Sequence, residues 1–401
     1  MICILDLGTS KISSILVKDE DLSPEVIAFS SVETYGIKTG SIINISQISE
    51  DISKCINELE DKSGEKIKDI IVSFSGEQIS SINSTGSVII RQKEVTARDV
   101  QSALNVSSTL KVPNDKTLLF VSPNEYIIDG QPGIAQPIGM NGVRLEAKSH
   151  LIYCSQNTKE NISKCIEELN DLRIKKFYYN QLGAAESVLT KDQRELGVCL
   201  LDIGAGTTDL TIYKGGSIRF SKVFHYAGDF ITETIATSLK ITSTQAEEVK
   251  KKYGCAILDS DFQDSLRIIG NNGNRDKEIS RKALSEVIEK SLTRIIRHCA
   301  ICVEDNGMLS SMPTGYVLTG GTSNLEGIKK LGESVTKNNF EIGLPTIEIP
   351  AKSEQLIKPQ FSPILGMIKF CVLEQNKQFT FNQSRRIIGR MLEWFRSEFG
   401  T

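Results

Sequence analysis

"LLDIGAGTTDL" (200–210) places an aspartate and two glycines directly after an apolar run and then turns polar. "ILDLGTSKI" (4–12) does nearly the same close to the start of the chain. With Asp6 set on Asp202, Leu5 falls on Leu201, Leu7 on Ile203, Gly8 on Gly204 and Ile15-Leu16 on Thr211-Ile212. The two stretches lie about half the chain apart, so an internal duplication of domain size is the first architecture to expect. A strand, a Gly/Ser/Thr turn and a second strand form a hairpin whose successive backbone N–H groups make a concavity for an anion. Glycine suits that turn because no Cβ holds a phosphate away. A carboxylate at the strand end does not face a phosphate bare; Mg²⁺ between them, held through water because it dehydrates reluctantly, accounts for it. One such turn is ordinary. Two, the second followed by "GTTD", describe a pair of lobes gripping one polyphosphate. "LTGGTSNLEG" (318–327) is a third glycine turn between a strand and a helix, where a nucleoside would sit near a helix N-terminus. No GxxxxGK[ST] occurs, which excludes a P-loop.

The totals agree with two lobes. A chain of 401 residues exceeds one ordinary core, since domains usually hold about 100–150 residues. It is 39% apolar and 24% charged with formal net charge −3, and so lacks the basic excess that nucleic acid demands. No apolar run reaches the roughly 18 residues of a membrane span. Asp6 interrupts the N-terminal apolar stretch too early for a secretory signal, so a cytoplasmic chain is expected. Nine scattered cysteines suit reduced thiols. The one close pair, in "HCAIC" (298–302), lies inside the helical pattern "LSEVIEKSLTRIIRHCAICVED" with no second pair, which reads as helix packing rather than a zinc or redox site. His150 and His225 share no ligand spacing with His298.

Around the turns, 2–7 and 12–17 read as strands, 47–62 as a helix and 67–76 as a strand. Residues 79–155 change texture: strands at "ISSINSTGSVII" and "TLLFVSPNEYIIDG", a Thr-capped helix over 96–110 and turns of their own mark a small α+β insertion. A helix over 158–172 follows, then "KKFYYNQLGAAESVL" (175–189). Beyond the second turn the pattern is helix-rich, including "TSTQAEEVKKKYG" (242–254). "PILGMIKFCVL" (363–373) reads as a core helix and the polar 374–384 as a linker. The terminal "RRIIGRMLEWFRSEF" (385–399) is amphipathic. Ile387, Ile388, Met391, Leu392, Trp394, Phe395 and Phe399 share one side of a helical wheel, Arg385 and Arg396 border it, and Arg386 and Arg390 lie opposite. An internal helix of this kind usually packs on its own domain, but behind a polar linker at a terminus the pattern suits a helix lying in a bilayer surface.

"ILDLGTSK", "LLDIGAGTTDL" and "VLTGGTSNLEG" resemble the phosphate-1, phosphate-2 and adenosine motifs of the actin, Hsp70 and sugar-kinase superfamily. "SGEQISSINSTGSVII", "VTARDV", "PNEYIIDGQPGI", "GVRLEAKSHLI", "SVLTKDQRELGVCLLDIGAGTTDL" and "KVFHYAGDFITETIATSL" follow in the order of the FtsA family of bacterial cell-division actins, which the whole chain resembles. The resemblance implies an α/β fold of duplicated, ribonuclease-H-type domains around a nucleotide cleft, with an SHS2-like inserted subdomain and a C-terminal amphipathic helix. It divides the chain into a first domain (1–78, 156–190), the insertion (79–155), a second-domain core (191–225 and 300–360) with a helical subdomain (226–299), a closing helix (361–373), a linker (374–384) and a membrane-targeting helix (385–400).

On the same resemblance, Gly8, Thr9, Ser10 and Lys11 would touch the phosphates of ATP from one side, and Gly204, Ala205, Gly206, Thr207 and Thr208 from the other. Asp6 and Asp202 would hold Mg²⁺ through water. Gly228 would lie beside the nucleotide, Glu247 and Lys250 would pack on adenosine, and Gly320, Gly321 and Thr322 would border base and ribose. From spacing alone Glu247 and Lys250 are also an ordinary i,i+3 surface pair. Alignment through "GAA" puts Gln181 where the superfamily positions its attacking water, a place a structural glutamine fits as well; tight ATP binding with slow or negligible hydrolysis is expected. The implied partners are FtsZ through 226–299, further copies of the chain in a filament, an anionic bilayer through the last helix, and later division proteins through 79–155, with no nucleic acid. The implied place is the cytoplasmic face of the inner membrane at the division site. An ATP-dependent small-molecule kinase or a pilus-assembly adaptor of the same superfamily is the alternative. A kinase would need a substrate base in the cleft and no lipid-seeking tail, a pilus-assembly relative would lack the terminal helix, and an Hsp70-type chaperone would need a β-rich peptide-binding domain after the core.

Overall fold

The computed structural model describes residues 1–20, 23–109, 115–169, 171–257, 265–268, 277–346 and 351–374. The expected linker beyond Glu374 and the expected terminal helix lie outside the described residues.

The chain opens with β1 (Ile2–Leu7), β2 (Lys11–Glu20) and β3 (Ser23–Glu33), an antiparallel meander. A small hairpin, β4 (Ile37–Lys38) with β5 (Ser41–Ile42), leads to α1 (Ile45–Ser63) and to β6 (Asp69–Phe74), which lies parallel to β1. Asn44 caps α1 by accepting from the Gln47 amide, and Gly64 ends it in the left-handed region, as a cap of either kind does. The insertion consists of β7 (Ser80–Ile89), α2 (Ala97–Thr109), β8 (Lys116–Ile128), β9 (Gln131–Ile134) and β10 (Arg144–Ser155), a sheet in the order β7-β10-β8-β9 with α2 on one face. Then come α3 (Gln156–Glu167) and β11 (Arg173–Tyr179), which returns to the first sheet beside β6. The helix expected over 158–172 is thus shorter: the chain turns on Leu169, whose carbonyl accepts from Leu172, to enter β11.

After α4 (Asn180–Val188) and α5 (Lys191–Leu196) the first pattern repeats. β12 (Val198–Ile203), β13 (Thr208–Lys214) and β14 (Ser217–Phe224) form a second meander. It is extended by α6 (Gly228–Leu239), α7 (Ser243–Tyr253), the pair β15 (Ser265–Ile268) and β16 (Lys277–Ser280), and α8 (Arg281–Asp305). It closes with β17 (Tyr316–Thr319), α9 (Ile328–Thr336) and β18 (Phe340–Ile342). A last helix, α10, spans 362–374 and takes in Glu374, the expected first residue of the linker.

The sheet orders state the duplication outright: β11-β6-β1-β2-β3 in the first lobe and β14-β13-β12-β17-β18 in the second, the same order read from opposite ends. Even the registers match. Asp6 faces Ser13 and Leu7 faces Ile12; Asp202 faces Asp209 and Ile203 faces Thr208. Strands β1 and β12 are buried along their whole length, as strands covered on both faces must be. One apolar core joins the first sheet, α1, α3, α4, α10 and the near face of β12. A second lies between the far face of β12–β13 and helices α6 to α9, and a small third one fills the insertion. Cys299 belongs to the second core inside α8, as expected for a packing residue.

Candidate functional site

Both hairpin turns close with the same backbone bond: Gly8 N–H donates to the Lys11 carbonyl at 3.0 Å and Gly204 N–H to the Thr207 carbonyl at 2.9 Å. The turns therefore present their inner amides alike, from opposite walls of a cavity of about 430 Å³ between the lobes. Gly8, Thr9, Ser10 and Lys11 line one wall; Gly204, Ala205 and Thr207 line the other. Two expected residues do not reach the cavity. Thr208 is fully buried and its hydroxyl donates to the Tyr226 carbonyl at 2.6 Å, while Gly206 packs against Thr9, whose side chain a Cβ would strike. Gly206 is thus the point where the two turns touch across the lobes.

The far end of the cavity is built by helix starts and the third turn. Gly228, first residue of α6, donates its N–H to the Gly204 carbonyl at 3.1 Å, and Thr322 donates its hydroxyl to the same oxygen at 2.9 Å. Gly320 has φ 85°, in the region that favours glycine, and a Cβ there would collide with the Asp202 carboxylate. Gly320, Gly321 and Thr322 all line the cavity. A short 3₁₀ turn (Gly321–Asn324) separates this loop from α9, so the helix N-terminus beside it is that of α6. Glu247 and Lys250 line the cavity too and are not a solvated pair. The Lys250 ammonium is buried, donating to the Gly228 carbonyl at 3.0 Å and the Thr232 hydroxyl at 2.7 Å, with Glu247 2.6 Å away. Burial pulls the Glu247 carboxyl upward, but Lys250 and the hydrogen bonds of Lys250 and Thr232 outweigh it and hold the group below its ordinary value.

Three carboxylates converge at the end of the cavity bordered by the two hairpin turns: Asp6, Asp202 and Asp209. Burial raises Asp6 to about 6 against the pull of Lys11, Asn180 and Ser73. Burial, then the charges of Asp209 and Asp6, push Asp202 well above its usual range. Burial also raises Asp209 to about 6. Lys11 is the cation that faces them; burial lowers it to about 8, and its ammonium donates to the Gln360 carbonyl at 3.0 Å. The site is short of positive charge, which is the condition a divalent cation relieves. Among the described residues no cluster of three His, Cys, Asp or Glu side chains could hold a metal alone; Mg²⁺ would depend on water and phosphate oxygens beside Asp6 and Asp202, its usual company.

Gln181 departs from the catalytic expectation. Its side chain is fully buried outside the cavity, where Nε2 donates to the Asp209 carbonyl at 2.6 Å. Asn180, one residue earlier at the start of α4, does reach the cavity and donates to Asp6 Oδ1 at 2.9 Å. On a helix a shift of one residue turns a side chain by about 100°, which is why Asn180 lines the cavity and Gln181 does not. Asn180, Ser75, Asp209, Asn324 and Gln360 also line the site and escaped the sequence reading. A usable signal existed for two of them: Ser75 follows β6 and Asp209 pairs with Asp202, so both belong to the strand ends that border the crevice of an α/β sheet.

Comparison with known proteins agrees with this architecture. The family description "Cell division protein FtsA" matches residues 199–366, and "SHS2 domain inserted in FTSA" matches 76–153. The cell division protein FtsA of Pseudomonas aeruginosa is 34% identical over 386 residues, covering 96% of this chain and 92% of that one. That of Escherichia coli K12 is 30% identical over 411 residues, covering 98% and 97%. Among solved structures, a PilM–PilN type IV pilus biogenesis complex matches with TM-score 0.65 at 17% identity, covering 91% of this chain and 96% of that one. MreB5 of Spiroplasma citri bound to ADP matches with TM-score 0.56 at 14% identity, covering 94% and 98%. At these identities the two structures attest the actin-like fold.

Proposed function

The chain belongs to the FtsA family of cell division proteins, and from that membership we propose that it binds ATP with Mg²⁺ between its lobes, polymerises at the inner membrane and ties FtsZ filaments to it. The observation that carries the reading is the cavity itself: two turns of identical register, one per lobe, face each other across about 430 Å³ with Lys11 and the Asp6/Asp202 pair between them. The inner amides of both turns and the Lys11 ammonium would bind the phosphates, and bonds to a charged group are each worth roughly 1.5–3 kcal/mol. Mg²⁺ would supply neutralisation of the phosphate charge that the buried carboxylates otherwise oppose. Glu247 and Lys250 would orient the nucleoside, with Gly320 and Gly321 allowing its close approach. Asn180, which lines the cavity and donates to Asp6, is the candidate water-positioning group in place of Gln181. For a kinase, Asp209 would be the candidate base, but its two oxygens already accept from Ser75, Tyr179 and Thr207.

No helix among the described residues is long and apolar enough to cross a membrane, so the bilayer contact falls to 385–400, where each arginine near an anionic surface contributes about 1 kcal/mol. One such helix holds weakly; a filament multiplies it by avidity. In the helical part of the second lobe, α8 presents Lys290, Arg294, Arg297 and His298 around a cavity of about 530 Å³, with Arg294 over the rings of Tyr226 and Phe230. This face is where we place the FtsZ contact, and the insertion is where later division proteins and neighbouring subunits would meet the chain. Co-sedimentation of the full chain with anionic vesicles, ATP and FtsZ polymers tests the whole reading. ATP-dependent recruitment of FtsZ to vesicles is expected, and FtsZ left in the supernatant at every nucleotide condition refutes it.

A further inference from the structure

The duplicated hairpins differ at one telling position. Where β2 carries Ser13, bonded within its own sheet to Ser31 at 3.0 Å, β13 carries Asp209. Asp209 is 4% exposed, and the hairpin does not need an acid there, since its twin manages with serine. A buried carboxylate is costly unless hydrogen bonds compensate it. Two of the three hydroxyls that bond the carboxylate come from the other lobe, which also holds the residue's main chain. Oδ1 accepts from the Ser75 hydroxyl, at the end of β6, and from the Tyr179 hydroxyl at 2.9 Å, at the end of β11. The main-chain carbonyl accepts from Gln181 Nε2 of α4 at 2.6 Å. Thr207, 3.1 Å from Oδ2, is the one donor from its own lobe.

We propose that Asp209 is an inter-lobe clasp, held by Ser75, Tyr179 and Gln181, that sets the rate at which the cleft opens and releases nucleotide. The proposal rests on the nucleotide reading above and adds its regulation. Opening the lobes pulls one aspartate away from three donors at once, and closing restores all three as the turns approach the phosphates. The position is apt: Asp209 and Ser75 lie on the cavity wall beside Asp202, whereas Tyr179 and Gln181 stand behind it. Gln181 thereby acquires a positioning role in place of the catalytic one. Asp209 is likewise held fast rather than free to take a proton from a substrate.

Tyr179→Phe removes one hydroxyl and leaves the cavity wall intact. In full-length protein loaded with fluorescent ADP and chased with unlabelled ATP, the variant should release nucleotide about tenfold faster than the parent, the scale of one hydrogen bond to a charged group. Ser108→Ala, whose hydroxyl bonds only within α2 of the insertion, should release at the parent rate. A merely structural tyrosine would lower the melting temperature without speeding release. If Tyr179→Phe melts early, Gln181→Met and Asp209→Asn probe the same clasp from its other members. Hydrogen–deuterium exchange of the 206–210 amides in nucleotide-free protein gives a readout that needs no ligand, and faster exchange in the variants is expected. Unchanged release together with unchanged exchange overturns the clasp. A parent protein that binds no nucleotide refutes the reading of the preceding section instead, and the exchange rates then decide the clasp alone.

Discussion

Lys11 is the residue on which the proposed phosphate site turns. Its ammonium sits over the Phe361 ring at 3.7 Å and is lowered to about 8 by burial, despite Asp6 and Asp202 nearby. A phosphate arriving there would replace the Gln360 carbonyl as its acceptor. Lys11→Ala should therefore weaken ATP binding about ten- to hundredfold, measured by calorimetry, while the melting temperature of the nucleotide-free protein stays nearly constant. The carboxylates add a pH dependence with a definite sign. Asp6 titrates near 6 rather than in the ordinary carboxylate range because burial disfavours its charge. It must be ionised to serve Mg²⁺, so affinity for Mg²⁺–ATP should fall as pH drops through 6, and should fall again as pH rises past about 8, where Lys11 loses its charge. The slope should be about tenfold per unit for each carboxyl that must lose a proton. Mg²⁺ affinity that rises on acidification would remove Asp6 from the metal site.

Two helices join the lobes, and their crossing is unusually close. A Cβ on Gly366 of α10 would overlap the carbonyl oxygen of Gly183 in α4. Ile364, Leu365, Met367 and Ile368 then bury α10 in the first core, each such side chain worth about 1.5–3 kcal/mol. Gly366→Ala should drive the helices apart and cost about 2 kcal/mol or more, read as a drop in melting temperature; an unaffected melt would show that the crossing relaxes freely. On α8 the consequence is functional. Replacing Arg294 and Arg297 together by alanine should abolish co-sedimentation with FtsZ polymers and leave ATP affinity unchanged, since neither side chain lines the cleft. For the proposed membrane-binding segment 385–400, Trp394→Glu should abolish sedimentation with anionic vesicles while ATP binding survives.

At the scale of the molecule, the insertion bridges both lobes by unlike chemistry. Phe120 meets Phe370 of α10 edge-on at 5.7 Å, an apolar seam with the first lobe. Against β14 the contact is polar: Ser81 donates to the Ser221 carbonyl at 2.8 Å, and His150 Nε2 lies 2.8 Å from the Ser221 hydroxyl. Burial lowers His150 to about 4, so this imidazole is uncharged at neutral pH. How much of this was legible in the chain divides along one line. The duplication, the strand–turn–strand hairpins, the insertion and most of the cavity wall follow from local pattern, because a turn needs its glycines and a buried strand its apolar run wherever the rest of the chain lies. Sequence alone therefore determined two lobes with paired glycine turns, with the actin-like fold implied by family resemblance, and it picked out Lys11, Asp6 and Asp202, which line one cavity. Which of Asn180 and Gln181 enters the cavity, that Lys250 turns inward, and that Asp209 is gripped by Ser75, Tyr179 and Gln181 were decided by tertiary structure. These are contacts between residues far apart in sequence, and a side chain's direction on a helix or across a cleft is set by what it packs against rather than by its neighbours in the chain.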